Sequence, residues 1–132
     1  MSIQEKQKMY KDNFQTLNDP VSQSEYLIQH GIKYLGDATI QKPQYRIEGC
    51  KTAIWLKCEE VAQNVSFQAD SDSLLVKGVL SIFDDLYQGC SRAQIIENPP
   101  EFIDEISEEV IYPEIKQNGL SNCYKKLQIN KK

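Results

Sequence analysis

The strongest constraint on this chain's fold is the stretch Leu74-Leu75-Val76-Lys77-Gly78-Val79-Leu80-Ser81-Ile82-Phe83-Asp84-Asp85-Leu86-Tyr87. Wound as a helix, it is apolar around most of its circumference, so it must be buried on nearly every side. The preceding Ala69-Asp70-Ser71-Asp72-Ser73 offers carboxylates and hydroxyls to the free N–H groups of the first turn, where the helix dipole favours negative charge. Gln88-Gly89 closes the helix. A helix of this kind is the centre of a domain, and the rest of the chain has to cover it.

Two amphipathic segments precede it. Residues 3 to 17 place Met9, Tyr10, Phe14 and Leu17 on one face, and Asn18-Asp19-Pro20 breaks the pattern. A second helix follows with Ser22 or Ser24 as its cap, Tyr26, Leu27, His30 and Tyr34 on one side, and Gly36 as its stop. The period then changes. Tyr45 to Glu48, Thr52 to Glu59 and Val65 to Ala69 read as strands, the last two joined by a turn at Gln63-Asn64. Such short connections require antiparallel pairing. After the central helix come short helices near Ser91 to Ile96 and Pro100 to Ile106, split by Asn98-Pro99. A last helix starts near Asn118 or Ser121 and carries Leu120, Cys123, Tyr124 and Leu127. The expectation is one α+β domain over residues 1–132: a small antiparallel three-stranded sheet packed with helices.

Length and charge narrow the function. A chain of 132 residues fits one domain. A net charge of -4 argues against a nucleic-acid footprint, and Lys125-Lys126 and Lys131-Lys132 read as a solvated end. No apolar run approaches the ~20 residues needed to span a bilayer. The polar start MSIQEKQKMYKDNF lacks a signal-peptide core, so a cytoplasmic location is expected, with all four cysteines reduced.

Little else in the chain resembles catalytic machinery. Cys50, Cys58, Cys90 and Cys123 have none of the close pairing of structural zinc sites. The only histidine, His30, lies in an ordinary helical pattern and reads as a satisfied, partly buried imidazole, without a nucleophile beside it. Asp84-Asp85 and Glu108-Glu109 diverge from their own backbones and read as solvated surface. No glycine-rich phosphate loop is present. Among the thiols, Cys123 fits the apolar face of the last helix and Cys58 shares the strand parity of Ile54 and Leu56, opposite Trp55. Both read as small hydrophobes. Cys90 follows a helix-ending Gly89, with nothing around it built to present a nucleophile. Cys50 stands apart: it follows Gly49 where the chain must turn, and the cations Arg46 and Lys51 lie nearby in sequence. Nearby positive charge favours a thiolate. These residues alone allow either a structural turn cysteine or a functional one.

The segments GCKTAIWL, FQADSDSLLVKGVLSIFDDLYQG and KQNGLSNCYKKL, in this order, resemble the SufE family over nearly the whole chain. The resemblance implies a compact α+β fold related to iron–sulfur scaffold proteins, and a sulfur acceptor that works with a SufS-like cysteine desulfurase. On that resemblance Cys50 is the sulfur-accepting cysteine, and Gly49, Lys51, Asp72 and Lys116 are partner-facing. Trp55, Ala69-Asp70-Ser71-Asp72, Val76-Lys77-Gly78 and Asn118-Gly119-Leu120 match the remaining motifs. The acceptor itself is expected to hold no cofactor or metal, since pyridoxal phosphate belongs to the desulfurase. Its partners would be the desulfurase and a downstream acceptor or cluster scaffold, with no nucleic acid and no membrane; a monomer and a homodimer are both compatible. Lys51 stands where the family has glutamine, Thr52 where it has serine, and Lys116 where it has arginine, losing the bidentate fork. Two other functions fit the residues less closely: a cysteine-ligated iron–sulfur or zinc scaffold, and a desulfurase regulator that takes no sulfur.

Overall fold

The apolar run at the centre of the sequence forms α3 (Leu74–Tyr87), capped by the Ser73 hydroxyl, which accepts from the Val76 N–H at 3.3 Å. Val76, Val79, Leu80, Ile82, Phe83, Leu86 and Tyr87 are all buried. The other elements pack around this helix in a computed structural model that describes residues 1–129; Lys131-Lys132 lies outside the described residues.

The helical hairpin is α1 (Ile3–Thr16) and α2 (Pro20–Lys33). The cap of α2 is Asp19, accepting from the Ser22 N–H at 3.0 Å, rather than Ser22 or Ser24. Pro20 at the first helical position explains the shift, because its missing N–H costs nothing there. Helices α2 and α3 cross at glycines. A Cβ on Gly78 would stand 2.2 Å from the Leu27 carbonyl oxygen, and one on Gly31 would stand 2.3 Å from that of Leu74. Only glycine allows the two backbones to come this close. On the other side Phe14, Phe83 and Phe102 meet in one aromatic cluster. Asp85 is exposed but not idle: it accepts the Tyr10 hydroxyl at 2.6 Å and pairs with Lys6 at 3.2 Å, tying α1 to α3. His30 is half-buried as expected, its Nδ1 lying 3.0 Å from the Tyr26 carbonyl oxygen.

The sheet has two strands, β1 (Ile54–Val61) and β2 (Asn64–Ser71), antiparallel with Ile54 opposite Ser71 and Cys58 opposite Phe67. They are joined through Ala62 and Gln63, both at positive φ (53° and 70°), the backbone of a tight two-residue hairpin. The expected first strand, Tyr45 to Glu48, is not one. It shrinks to a single bridge between Arg46 and Trp55, continued by the Ile47 N–H donating to the Ile54 carbonyl at 2.8 Å. The cause is at both ends of the segment. Pro43 opens a tight 3-10 turn over Pro43–Tyr45, and Gly49 at φ +84° bends the chain away just after Ile47. The far edge of the pair is closed by a side chain: the Gln88 amide donates to the Phe67 carbonyl and accepts from the Phe67 N–H, both at 2.8 Å, as a neighbouring strand would.

Beyond α3 come α4 (Arg92–Glu97), a 3-10 turn over Glu101–Glu105, a π-helical turn over Ile115–Leu120 and α5 (Ser121–Gln128). The Lys126 ammonium donates to the Leu56 carbonyl at 2.9 Å, which seats α5 against β1. Of the thiols outside the turn, Cys123 is fully buried, and burial pushes it well above the ordinary cysteine range. Cys58 and Cys90 are half-buried. The Cys90 Sγ donates to the Leu86 carbonyl at 3.3 Å, and burial raises its thiol as well.

Candidate functional site

Gly49 carries the chain through the left-handed region at φ +84°, a conformation that favours glycine. This turn delivers Cys50 between the bridge at Arg46 and the start of β1. Cys50 is half-buried and packs against the core. Its sulfur lies against Gly119 of the π-helical turn: a Cβ built there would come within 3.1 Å of Cys50 Sγ and 2.9 Å of Ile54 Cδ1. The niche therefore exists because residue 119 has no side chain.

Three side chains hold the loop, two of them from distant parts of the chain. Asn122 of α5 donates its amide to the Glu48 carbonyl at 3.2 Å. Glu114 accepts the Lys51 N–H at 3.0 Å. Arg46 directs its guanidinium to the carbonyls of Cys50 and Lys51, at 3.5 and 3.4 Å, and lies over the Trp55 ring at 5.9 Å. An open cleft of about 350 Å³, lined by Gln41, Lys42, Pro43, Arg46, Glu48 and Trp55, adjoins the loop.

The residues singled out in sequence fall in unequal places. Gly49, Cys50 and Lys51 form the loop itself, and Lys51 is exposed. Asp72 is exposed and connects to this region through its N–H, which donates to the Ala53 carbonyl at 3.4 Å; the Ser71 hydroxyl donates to the same carbonyl at 2.7 Å. Lys116 shares the π-helical turn with Gly119, but its ammonium bonds the Ile106 carbonyl. In this structure Lys116 is thus a half-buried tie between segments. Glu114 and Asn122 went unnoticed in sequence, where nothing marks either one. Gly119 lies inside the Asn118-Gly119-Leu120 motif, but the sequence gives no hint that it faces the thiol. Among the described residues, no group of three or more His, Cys, Asp or Glu side chains is placed to hold a metal ion. No described helix is long and apolar enough to cross a membrane.

A small α+β domain, with a thiol on a glycine turn backed by a glycine of the C-terminal helical segment, is the class that fold and site define. The chain belongs to the SufE family, described as an Fe-S metabolism associated domain, whose model matches residues 8–130. It is 26% identical over 120 residues to an uncharacterized SufE-like protein of Synechocystis, covering 89% of this chain and 74% of that one. It is also 26% identical over 117 residues to the SufE-like protein 1, chloroplastic/mitochondrial, of Arabidopsis thaliana, covering 87% of this chain but only 32% of the plant protein. A chloroplastic quinolinate synthase of Nicotiana tabacum matches 63% of this chain at 29% identity, and the match spans 12% of the plant enzyme. The fold is shared with the solution structure of a hypothetical protein from Thermus thermophilus, at a TM-score of 0.68 and 20% identity, covering 93% of this chain and 90% of that one.

Proposed function

We propose that this chain is a sulfur acceptor, taking persulfide sulfur from a pyridoxal-phosphate cysteine desulfurase onto Cys50 and passing it on for iron–sulfur cluster assembly. The observation that carries the reading is the placement of Cys50. Gly49 and Gly89 both carry the chain through the left-handed region just before a cysteine, but the Cys90 Sγ is tied to the Leu86 carbonyl, whereas the Cys50 sulfur lies in a niche opened by Gly119, with an open cleft adjoining its loop. Membership of a family described by Fe–S metabolism supports it.

The chemistry asks little of the acceptor. The Cys50 thiolate attacks the outer sulfur of the desulfurase persulfide; a new S–S bond forms to Cys50, and the original S–S bond breaks. The desulfurase cysteine leaves as a thiolate. No net oxidation occurs, so no oxidant or metal is needed in the acceptor. In this reading the protein is an accessory to the desulfurase rather than an enzyme in its own right. On the same reading the exposed Gly49 and Lys51 beside the thiol, and the exposed Asp72 that follows β2, face the partner. Lys116 acts indirectly, by holding the turn that carries Gly119. A free thiol of this kind suits a reducing compartment, and a cytoplasmic location is part of this reading.

The test is Cys50→Ser in a desulfurase assay. The parent protein should raise desulfurase turnover and the variant should not. Stimulation by Cys50→Ser equal to that of the parent would sink the reading and favour a regulator that takes no sulfur.

A further inference from the structure

Arg46 has a combination of features that stability alone does not account for. Its guanidinium spans two backbone carbonyls of the thiol loop, Cys50 and Lys51, with both contacts long at 3.5 and 3.4 Å. It lies on the face of Trp55 at 5.9 Å, within the range of a cation–π contact. Its Nε is buried with no hydrogen-bond partner among the described residues. A buried N–H left unsatisfied is destabilising in itself. The same residue supplies the lone backbone bridge to Trp55, so backbone and side chain both fasten the incoming segment to β1. One residue earlier, Tyr45 receives the Lys57 ammonium over its ring at 5.7 Å, which pins the segment to the same strand a second time. The segment that enters the loop is therefore immobilised on β1, and Arg46 reaches from it to the loop's far end.

We propose that Arg46, seated on Trp55, is a positioning residue for the sulfur-accepting loop: its Nη2, shared between the Cys50 and Lys51 carbonyls, holds Cys50 Sγ against Gly119. The inference rests on Cys50 being the reactive thiol and says how its orientation is set. Lysine cannot take over this role, because its single nitrogen cannot sit over the indole and reach the loop carbonyls at once, as Arg46 does with Cζ over the ring and Nη2 on the carbonyls. Glu114 and Asn122 restrain Lys51 N–H and the Glu48 carbonyl, on either side of the thiol. Arg46 is the side chain that holds the carbonyl of Cys50 itself.

The test uses the isolated chain, without desulfurase, so it stands or falls separately from sulfur acceptance. Parent, Arg46→Gln and Arg46→Lys are treated with limiting iodoacetamide at pH 8, and alkylation is followed by peptide mass spectrometry at Cys50 and, as an internal control, at Cys90. With the Nη2 contacts gone, Cys50 should react about five- to tenfold faster in both variants while Cys90 is unchanged. Trp55 is the only tryptophan, so its emission reports on the clamp and should move to the red in Arg46→Gln. If Arg46→Gln does not fold, Trp55→Leu removes the platform instead and should speed Cys50 alkylation in the same way. An unchanged Cys50 rate, a parent-like rate in Arg46→Lys, a Cys90 rate rising in proportion, or parent-like Trp55 emission in a folded Arg46→Gln would overturn the proposal.

Discussion

At the scale of the residue, the site depends on the absence of one side chain. Gly119 stands in a helical segment, where alanine is intrinsically favoured by about 1 kcal/mol. A methyl group there would meet Cys50 Sγ at 3.1 Å and Ile54 Cδ1 at 2.9 Å. Both are side-chain atoms that can yield, so overpacking should roughly cancel the helix gain, leaving stability within about 1 kcal/mol of the parent. The sulfur is what moves. Gly119→Ala is predicted to leave the urea midpoint nearly unchanged while speeding alkylation of Cys50; a Cys50 rate equal to the parent's would show that the niche does not set the thiol's position. This relation was invisible in sequence. Cys50 on its glycine turn could be read directly, because Gly-Cys before a strand is a local signal. Gly119 lies in another element, and Lys51 and Glu114, which also meet here, are 63 positions apart. Only the folded chain brings such residues together.

At the scale of the element, α2 and α3 are joined by a contact that no side chain could replace. A Cβ on Gly78 would sit 2.2 Å from a backbone oxygen and 2.8 Å from a backbone carbon of Leu27, and a helix backbone cannot yield as a side chain does. Gly78→Ala should therefore cost about 3 kcal/mol or more in urea unfolding, despite the better helix propensity of alanine. A variant as stable as the parent would mean that the helices do not cross this closely. The helices themselves were largely legible from their periodicity, and α3 most of all because its apolar surface runs nearly all round. The strands were less so. Alternation at Tyr45 to Glu48 looked like strand, but Pro43 and Gly49 leave only Arg46 and Ile47 extended enough to pair. Residues that punctuate a short segment at both ends override its alternation.

At the scale of the whole molecule, burial of titratable groups sets the response to base. The ordinary value of the Cys123 thiol is 9.0, and burial raises it in the folded state. Tyr34 is pushed from 10.0 to about 12, first by burial and then by the charge of Asp84. Above about pH 9 the unfolded chain releases the Cys123 proton while the folded chain keeps it. Stability is thus full below that pH and falls as pH rises, by about 1.4 kcal/mol per pH unit for each such group. Tyr34 adds to the loss between about 10 and 12. Urea unfolding from pH 7 to 10.5 should show this decline, and Cys123→Ala should flatten its first part; an equal slope in that variant would contradict the assignment. Cys50 lies half-buried against the same core. The central claim is that this thiol receives sulfur. Its most direct test is to incubate the protein with a cysteine desulfurase and cysteine, without reductant, and to map the adduct by intact-mass and peptide mass spectrometry. The account predicts one added sulfur on Cys50, absent in Cys50→Ser and removable by a thiol reductant. Sulfur found on Cys58, Cys90 or Cys123 instead, or no added sulfur while the desulfurase turns over, would contradict it.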